Sequence, residues 1–382
     1  MTDFQIRNDI SRKATDAWIE YCIENGIHYC HTGYEKWKCS NGFLKAMKEN
    51  IILKEYPYPL WSKIRYIPDF FIITPLSAGH FIDAKGGNGK TIEKDAYEFY
   101  MELAGKNINV SLAKLKNSIL SLSGITDVKI NDQIKTKMYY GVPVVCNKWM
   151  FARLLKKEEN GEQLYKDWQE KTGGSGTPFG EIINFSEFER LKTIINEKDE
   201  YEINDIPNSN YMYPNIKRIS DKFIDFCKET KREYAFCGAD NLSRSESFLP
   251  ALRKSKDRSC RMIKFFPDLM VVKPDSSSGS LIKFLGSDLK IERDAFDFYT
   301  DLNCMGLNIT FVALLEDSLC ACPIQTANIK DLGEVYNTAP VFEHRWAEPK
   351  KLKGADFSQW MEKNKSDESF GFIENKCFQK LM

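Results

Sequence analysis

Hydrophobic and polar positions recur in the same order in both halves of the chain, which predicts a repeated unit. Each half opens with an amphipathic helical pattern, at residues 15–24 in the first half and 220–229 in the second. In the first half two short apolar runs follow, at about residues 65–74 and 79–85, with a turn between them. Runs of this length bounded by turn residues are typical of buried strands.

A strongly charged helix is predicted over residues 92–104, and another strand begins at about Asn107. The order helix, strands, helix, strand predicts an α/β unit with a mixed sheet flanked by helices.

Direct comparison of the two halves shows the repeat in their amino-acid sequences. "YIPDFFIITP" from Tyr66 returns as "FFPDLMVVKP" from Phe265, and "IEKDAYEFYMEL" from Ile92 returns as "IERDAFDFYTDL" from Ile291. Shorter pairs lie outside these in the same order, such as "WIEYC" with "FIDFC" and "FGEI" with "FGFI". Ordered similarity along both halves indicates a tandem duplication. The polar, proline-punctuated segment between the halves predicts domains at residues 1–198 and 217–382, joined by a linker at 199–216.

Composition narrows the class of protein. The 382 residues are 42% hydrophobic and 28% charged, as in a globular protein, and no apolar run is long enough to predict a membrane span. The first residues lack the apolar stretch of a secretory signal, and the eleven cysteines are expected to be reduced thiols, so we expect a cytoplasmic protein. The 54 basic and 54 acidic side chains cancel, which argues against a protein that coats DNA through bulk positive charge but allows a local basic cleft.

The stretch "FIDAKGGNGKTIEKD" fits two chemistries. "AKGGNGKT" satisfies the loose phosphate-loop pattern, in which Lys90 would meet nucleotide phosphates and Thr91 would hold magnesium. That reading places Glu93 and Asp95 in the first turn of the following helix, where carboxylates oppose a bound triphosphate and suit an ordinary helix start. The second half also has "FLGSDLK" in place of the Gly-Lys-Thr turn. Nucleotide hydrolysis is therefore the weaker alternative.

The other chemistry uses two carboxylates and a lysine. Asp69 opens one apolar run, and Asp83 and Lys85 lie on the next, pointing to the same side because strand side chains alternate. If the runs pair as a hairpin, Asp69 and Asp83 converge. Magnesium commonly takes one or two carboxylates together with water and substrate phosphate. Lys85 would then orient or help to deprotonate the attacking water and offset the charge on the phosphorane.

Pro68-Asp69 and Asp83-Ala84-Lys85 resemble the two elements of the PD-(D/E)XK nuclease signature, and the flanking elements over residues 15–115 are similar to that family's core. The resemblance implies two tandem restriction-endonuclease-like units. It also implies a Mg²⁺-dependent endodeoxyribonuclease, with Mn²⁺ as a substitute metal, DNA preferred over RNA and 5′-phosphate products.

Members of that family often add an acidic residue from the first helix. We expect Glu20 to be this auxiliary metal ligand, because the second half carries Asp225 at the matching place; Glu24 is the other candidate. A solvated carboxylate on an amphipathic helix is the alternative for either residue.

The second half keeps Pro267-Asp268 but has Lys283 in the place of Asp83 and Leu285 in the place of Lys85. A cation at a ligand position opposes metal binding, so the second domain is predicted to be inactive. One active unit per chain suggests nicking or structure-directed cleavage by a monomeric pseudo-dimer, or by a homodimer. A non-catalytic nucleic-acid-binding or assembly protein on the same fold is the alternative.

Basic residues outside the signature are candidates for phosphate contacts. The glycine-rich turn offers Lys90, and the cation-rich stretch "RKSKDRSCRMIK" offers further candidates: Arg253, Lys254, Lys256, Arg258 and Arg261. Such stretches are also common on solvated surfaces. "LWSKIRY" and "YEKWK" are weaker basic-aromatic candidates for a nucleic-acid channel.

Overall fold

The structure is a computed structural model of the chain. It describes the following residues: 3–47, 51, 58–86, 91–131, 136–139, 142–145, 163, 167, 179–193, 214–255, 257–332, 334–336, 339–341 and 370–381. The chain is divided into two compact units. Unit 1 comprises residues 1–209, 233–266 and 272–279, and unit 2 comprises 210–232, 267–271 and 280–382. These limits do not follow the halves of the repeat, and the domain limits inferred from the repeat stay a prediction.

Unit 1 is built on a six-stranded mixed sheet with the order β1-β3-β4-β6-β7-β12. The first repeat contains three helices and twelve strands in the described residues: α1 (Asp3–Glu24), α2 (Phe43–Lys45), α3 (Lys94–Gly105), β1 (His28–His31), β2 (Lys38–Cys39), β3 (Phe70–Ile73), β4 (Gly79–Lys85), β5 (Thr91–Glu93), β6 (Val110–Lys116), β7 (Ile119–Gly124), β8 (Ile130–Asn131), β9 (Thr136–Tyr139), β10 (Val142–Val145), β11 (Phe179–Ile182) and β12 (Glu189–Thr193).

Strand directions in this sheet follow from the connections. Strands β1, β3 and β4 form an antiparallel meander. A short turn joins β3 to β4, whereas residues 32–69 lie between β1 and β3. Helix α3 carries the chain back, so that β6 pairs parallel to β4. Strands β7 and β12 then add in antiparallel fashion. A second, three-stranded sheet has the order β5-β11-β8, and β9 and β10 form a hairpin.

The two faces of the large sheet have different partners. On one face α1 contributes Trp18, Ile19 and Cys22 to a buried apolar cluster whose sheet members include Ile82 and Ala84. Side chains alternate along a strand, so Phe81, Asp83 and Lys85 of β4 point to the opposite face. Helix α3 lies on that second face, where its Tyr100 is beside Asp83.

Residues of the second repeat complete unit 1. The helix before them in the chain, α4 (Pro214–Glu229), belongs to unit 2. The residues in unit 1 include β13 (Glu233–Phe236), which pairs antiparallel with β2, and two short helices, α5 (Phe248–Lys254) and α6 (Arg258–Lys264). Asp257 caps α6 by accepting from the backbone N–H groups of Ser259 and Cys260, and it also accepts from the N–H of Gly79 at the start of β4.

Unit 2 repeats the same architecture. It contains α4 (Pro214–Glu229) and α7 (Arg293–Cys304), together with the remaining strands: β14 (Leu269–Val272), β15 (Gly279–Phe284), β16 (Lys290–Glu292), β17 (Ile309–Leu315), β18 (Ser318–Pro323), β19 (Ile329–Leu332), β20 (Glu334–Tyr336), β21 (Ala339–Val341), β22 (Phe370–Ile373) and β23 (Gln379–Lys380). Its main strands have the order β14-β15-β17-β18-β23, and β15 is parallel to β17. A small sheet with the order β16-β22-β19 matches β5-β11-β8.

The predicted α/β class with mixed sheets is confirmed. The run at residues 79–85 forms β4 at its predicted limits, whereas the helix predicted from Ile92 begins at Lys94 because Thr91–Glu93 pair as β5 with β11. Among the described residues, no helix has the length and apolar character needed to span a bilayer.

Candidate active site

Two carboxylates meet where β3 begins and β4 ends. Phe70 pairs with Ile82 at the last register position of this hairpin, so Asp69 stands opposite Asp83, one position farther on. Both side chains point away from the α1 face. The backbone N–H of Ala84 donates to Oδ2 of Asp69 at 2.9 Å, which ties the first carboxylate to the strand that carries the second.

The residues after β1 hold the backbone of Asp69. The N–H groups of Thr32 and Gly33 donate to the carbonyl oxygen of Asp69, at 2.9 and 3.3 Å, and the hydroxyl of Thr32 donates to the carbonyl oxygen of Pro68 at 2.6 Å. Thr32 is fully buried, so these hydrogen bonds are shielded from water. The Pro-Asp pair therefore has a fixed position at the entry to β3.

Asp83 and Lys85 form an ion pair on the same face of β4. The Nζ atom of Lys85 lies 2.9 Å from Oδ1 of Asp83, whose side chain is 2% exposed, while that of Lys85 is 48% exposed. The other oxygen of Asp83, Oδ2, is buried and has no hydrogen-bond partner among the described residues. A buried acceptor without a partner is unfavourable by about 1–3 kcal/mol. It is therefore a strong candidate to bind a cation.

The electrostatics of the site reflect this crowding of charge. Burial, followed by the charge of Asp83, raises the pKa of Asp69 well above its usual range. Burial by itself would lower the pKa of Lys85, but the charges of Asp83 and Asp69 outweigh it and raise that pKa, so Lys85 stays an ammonium ion. Burial and the same two charges raise the pKa of Tyr100 on α3, which keeps its phenol protonated.

A third carboxylate, Glu93, belongs to the surroundings of the site. Its charge acts on Lys85, Arg65 and Tyr34 from the residue that precedes α3. The sequence interpretation assigned Glu93 to the helix start, which is also true, since Glu93 is the residue preceding the first turn of α3. Glu93 ends the strand β5, which the sequence did not predict and which pairs with β11.

Glu20 has a different environment. Helix α1 packs on the Ala84 face of the sheet, and the carboxylate of Glu20 lies 3.0 Å from Nζ of Lys192 on β12, which also binds Glu24 at 2.7 Å. The carboxylate pair occupies the other face. The structure thus brings Asp69, Asp83 and Lys85 together and leaves Glu20 in an ion-pair cluster of its own.

The basic residues proposed for phosphate contacts are placed separately. Lys90 and Lys256 lie outside the described residues, as does the side chain of Arg258. Arg253 and Lys254 are exposed at the end of α5, and Arg261 is partly exposed on α6. The cap of α6 meets Gly79, and β4 rises about 3.3 Å per residue, so this segment adjoins the end of β4 that is about 20 Å from Lys85.

Unit 2 shows what happens to the same site without the second acid. Oδ2 of Asp268 accepts from the N–H of Phe284 at 2.8 Å, as Asp69 accepts from Ala84. The Nζ atom of Lys283 lies 2.9 Å from Oδ1 of Asp268. The ammonium group of Lys283 thus neutralises the carboxylate of Asp268, which is the counterpart of Asp69 in unit 1.

The residues of unit 1 fit a magnesium ion in number and kind. Asp69 and Asp83 offer oxygen ligands on one face, and Oδ2 of Asp83 has no hydrogen-bond partner among the described residues. The described residues contain no group of three or more histidine, cysteine, aspartate or glutamate side chains arranged to hold a metal. A magnesium ion held by this pair would take its remaining ligands from water and a substrate phosphate.

Comparison of the chain with models of known protein families, with curated proteins and with solved structures found no match.

Proposed function

We propose that unit 1 is a metal-dependent nuclease that hydrolyses phosphodiester bonds. The observation that carries the proposal is the placement of Asp69 and Asp83 opposite each other on one face of a hairpin, with the Lys85 ammonium beside them. The order of helix, meander, helix and parallel strand agrees with the core of the PD-(D/E)XK family that the motif resembles. DNA as the substrate, 5′-phosphate products and the restriction-endonuclease-like fold are parts of this proposal.

In this mechanism Asp69 and Asp83 would hold Mg²⁺, or Mn²⁺ in its place. When bound, the cation would lower the pKa of the attacking water and neutralise charge on the phosphate. Lys85, whose Nζ atom lies 2.9 Å from Oδ1 of Asp83, would offset the negative charge that develops on the phosphorane and orient the attacking water. Water attacks phosphorus in line, the bond from phosphorus to the 3′ oxygen breaks, and that oxygen takes up a proton.

One site per chain follows from unit 2. The ion pair of Lys283 with Asp268 occupies the position that a metal would need, and Leu285 offers no cation there. We therefore propose that each binding event cleaves one strand, so that plasmid is nicked before it is linearised.

Two alternatives have different standing. Unit 2 shows that this architecture persists without the second acid, which favours a purely nucleic-acid-binding role as the second candidate for the whole chain. Nucleotide hydrolysis is less well supported, because Thr91 lies in β5, paired with Glu181, and does not stand at the start of a helix.

The test is cleavage of supercoiled plasmid with and without Mg²⁺, using Asp83→Ala and Lys85→Ala. Loss of one oxygen ligand or of the cation should lower the cleavage rate at least about 100-fold. Asp268→Ala is the matched control, because it removes the corresponding aspartate of unit 2, and it should cleave as the wild type does.

Three results would contradict the proposal: no Mg²⁺-dependent cleavage of DNA or RNA by the wild type, full activity in Asp83→Ala, or an equal loss in Asp268→Ala. Retained DNA binding without cleavage in the wild type would establish the binding role instead. ATP turnover would establish nucleotide hydrolysis.

A further inference from the structure

A line of side chains crosses the sheet of unit 1 from the candidate active site. Lys85 on β4 is the register partner of Lys114 on β6, Lys114 is the partner of Ser121 on β7, and Ser121 is the partner of Arg190 on β12. Register partners point to the same face, so all four side chains share the face of Asp83. Neighbouring strands are about 4.8 Å apart, so the line extends about 14 Å from Lys85.

A bulge places Arg190 in this line. The register of β12 against β7 shifts between Arg190 and Lys192. In a regular strand these two residues would share a face, whereas here Arg190 joins the face of Ser121 and Lys192 joins Glu20 on the α1 face. The bulge therefore gives β12 a cation on each side of the sheet.

A cleft of 360 Å³ opens along the far half of the line. It is lined by Lys116, Ser121 and Arg190, by Asn117 of the turn before β7 and Ile119 at the start of β7, and by Phe185, Ser186 and Phe188. Lys116 follows Lys114 by two positions on β6, so it too lies on the face of Asp83. The rings of Phe185 and Phe188 pack 5.0 Å apart and form the apolar wall.

The cations of this region repel one another. Lys114 is 4% exposed, and burial, with the charges of Lys85 and Lys116, lowers its pKa to about 8. A bound polyanion would relieve this repulsion.

Unit 2 lacks the lysines of this line, although Lys380 supplies a cation at the position of Arg190. There Ala313 pairs with Cys320, and Cys320 pairs with Lys380, at the positions that Lys114, Ser121 and Arg190 hold in unit 1. Leu285 and Leu315 stand where unit 1 has Lys85 and Lys116. The row of lysines is therefore absent from the unit that also lacks the carboxylate pair.

We propose that this line and cleft form a subsite for single-stranded nucleic acid, in which Lys116 and Arg190 bind a backbone phosphate of the strand leaving the carboxylate pair and Phe185 contacts its base. The proposal rests on the proposed function, which supplies nucleic acid as the ligand. A single strand is favoured because the cleft has the volume of a small-ligand site and an aromatic wall, and a duplex would present only phosphates there.

The experiment measures binding of a fluorescein-labelled oligothymidylate to the full chain by anisotropy, in EDTA and over a series of salt concentrations. Lys116→Gln/Arg190→Gln should weaken binding about tenfold and reduce the slope of log K against log salt by about 0.7, since the two side chains bind one phosphate and each phosphate of a single strand contributes about 0.7. Arg190→Lys should retain most of the affinity, because it keeps the charge. Lys380→Gln, the counterpart in unit 2, should bind as the wild type does. Lys114 is not substituted, because its burial makes misfolding an alternative cause.

Unchanged affinity and slope in the double variant would overturn the subsite, as would an equal loss in Lys380→Gln or a loss confined to duplex DNA. These outcomes are separable from failure of the proposed function. A wild type that cleaves with Mg²⁺ while the double variant binds normally refutes the subsite alone. A wild type that binds through Lys116 and Arg190 but cleaves no substrate refutes the nuclease and leaves the subsite standing.

Discussion

At the scale of single residues, one exchange of charge distinguishes the two units. Asp83 is 2% exposed, and an isolated carboxylate at such a position is strongly disfavoured. The partly exposed ammonium of Lys85 pairs with Oδ1 of Asp83, while Oδ2 has no hydrogen-bond partner among the described residues. In unit 2 the position of Asp83 carries Lys283, which forms an ion pair with Asp268.

His31 gives a pH-dependent prediction at the same scale. It is 2% exposed, and its ring packs 4.1 Å from that of Phe70. Burial, and then the charge of Lys36, lowers its pKa to about 3, whereas an unfolded histidine has a pKa near 6.5. Between these values the unfolded chain binds a proton that the folded chain does not. The free energy of unfolding should therefore fall as the pH drops below about 6.5, by up to about 1.4 kcal/mol per pH unit, with no contribution from His31 above that pH.

Urea unfolding at pH 7 and pH 5 checks this expectation. His31→Phe should lose less stability than the wild type between the two pH values. His28→Gln, which alters a partly exposed histidine of the same strand, should keep the wild-type dependence. If His31→Phe shows the same fall as the wild type, His31 is not the group responsible.

At the scale of elements, the two faces of the sheet separate structure from chemistry. Helix α1 contacts the face that carries Ile82 and Ala84, and Lys192 extends this contact by joining Glu20 and Glu24. The face of Asp83 carries the carboxylates and the line of cations. Alternation along each strand produces this division.

Glu20 is therefore predicted to support the fold and not the metal. Glu20→Gln should change the free energy of unfolding by about 1 kcal/mol or less, because the pair with Lys192 is near the surface. Magnesium binding, measured by calorimetry, should be unchanged. Glu24→Gln, which alters the same cluster, is its matched control, and Asp83→Asn should lose binding. A tenfold weaker affinity for magnesium in Glu20→Gln alone would restore Glu20 as a ligand.

At the scale of the whole molecule, the repeats exchange contacts reciprocally within unit 1. The N–H of Ser40 donates to the carbonyl oxygen of Tyr234, and that of Ser245 donates to Tyr29, both at 2.9 Å. Cys39 pairs with Ala235, and Cys30 forms a bridge with Arg244. Each contact has a counterpart with the repeats interchanged, as in the interface of a homodimer. Unit 1 therefore depends on residues 233–266 of the second repeat.

Gly79 tests this dependence. A Cβ atom there would lie 2.6 Å from the Phe71 ring and 2.9 Å from the backbone nitrogen of Cys260, so Gly79→Ala should lower the free energy of unfolding by about 1–3 kcal/mol. Gly105→Ala, at the end of α3, meets nothing within 4 Å and should be neutral or slightly stabilising. Urea unfolding measures both variants. Equal free energies of unfolding for Gly79→Ala and Gly105→Ala would contradict a close contact between Gly79 and Cys260.

Much of the fold was predictable because helices and strands produce patterns of apolar and polar residues over short stretches of sequence. Apolar runs gave β3 and β4, and the letters of the two halves revealed the repeat. The pair Asp69 and Asp83 was predictable because both residues lie at the ends of one hairpin. For Glu93 the sequence left two placements open, facing the cleft or belonging to the helix start, and favoured the second. Its strand β5 was not predictable, because the partner strand β11 is about ninety positions away in the chain.

The sequence by itself determined the α/β class, the duplication and which residues could form the site, since helical and strand periodicity and ordered similarity are local properties. Only the tertiary structure decided that Glu20 belongs to an ion-pair cluster, that a bulge turns Arg190 toward the line of Lys85, and that the second repeat completes unit 1. Each of these depends on which distant strand lies beside which, and strand pairing is set by packing across the whole sheet.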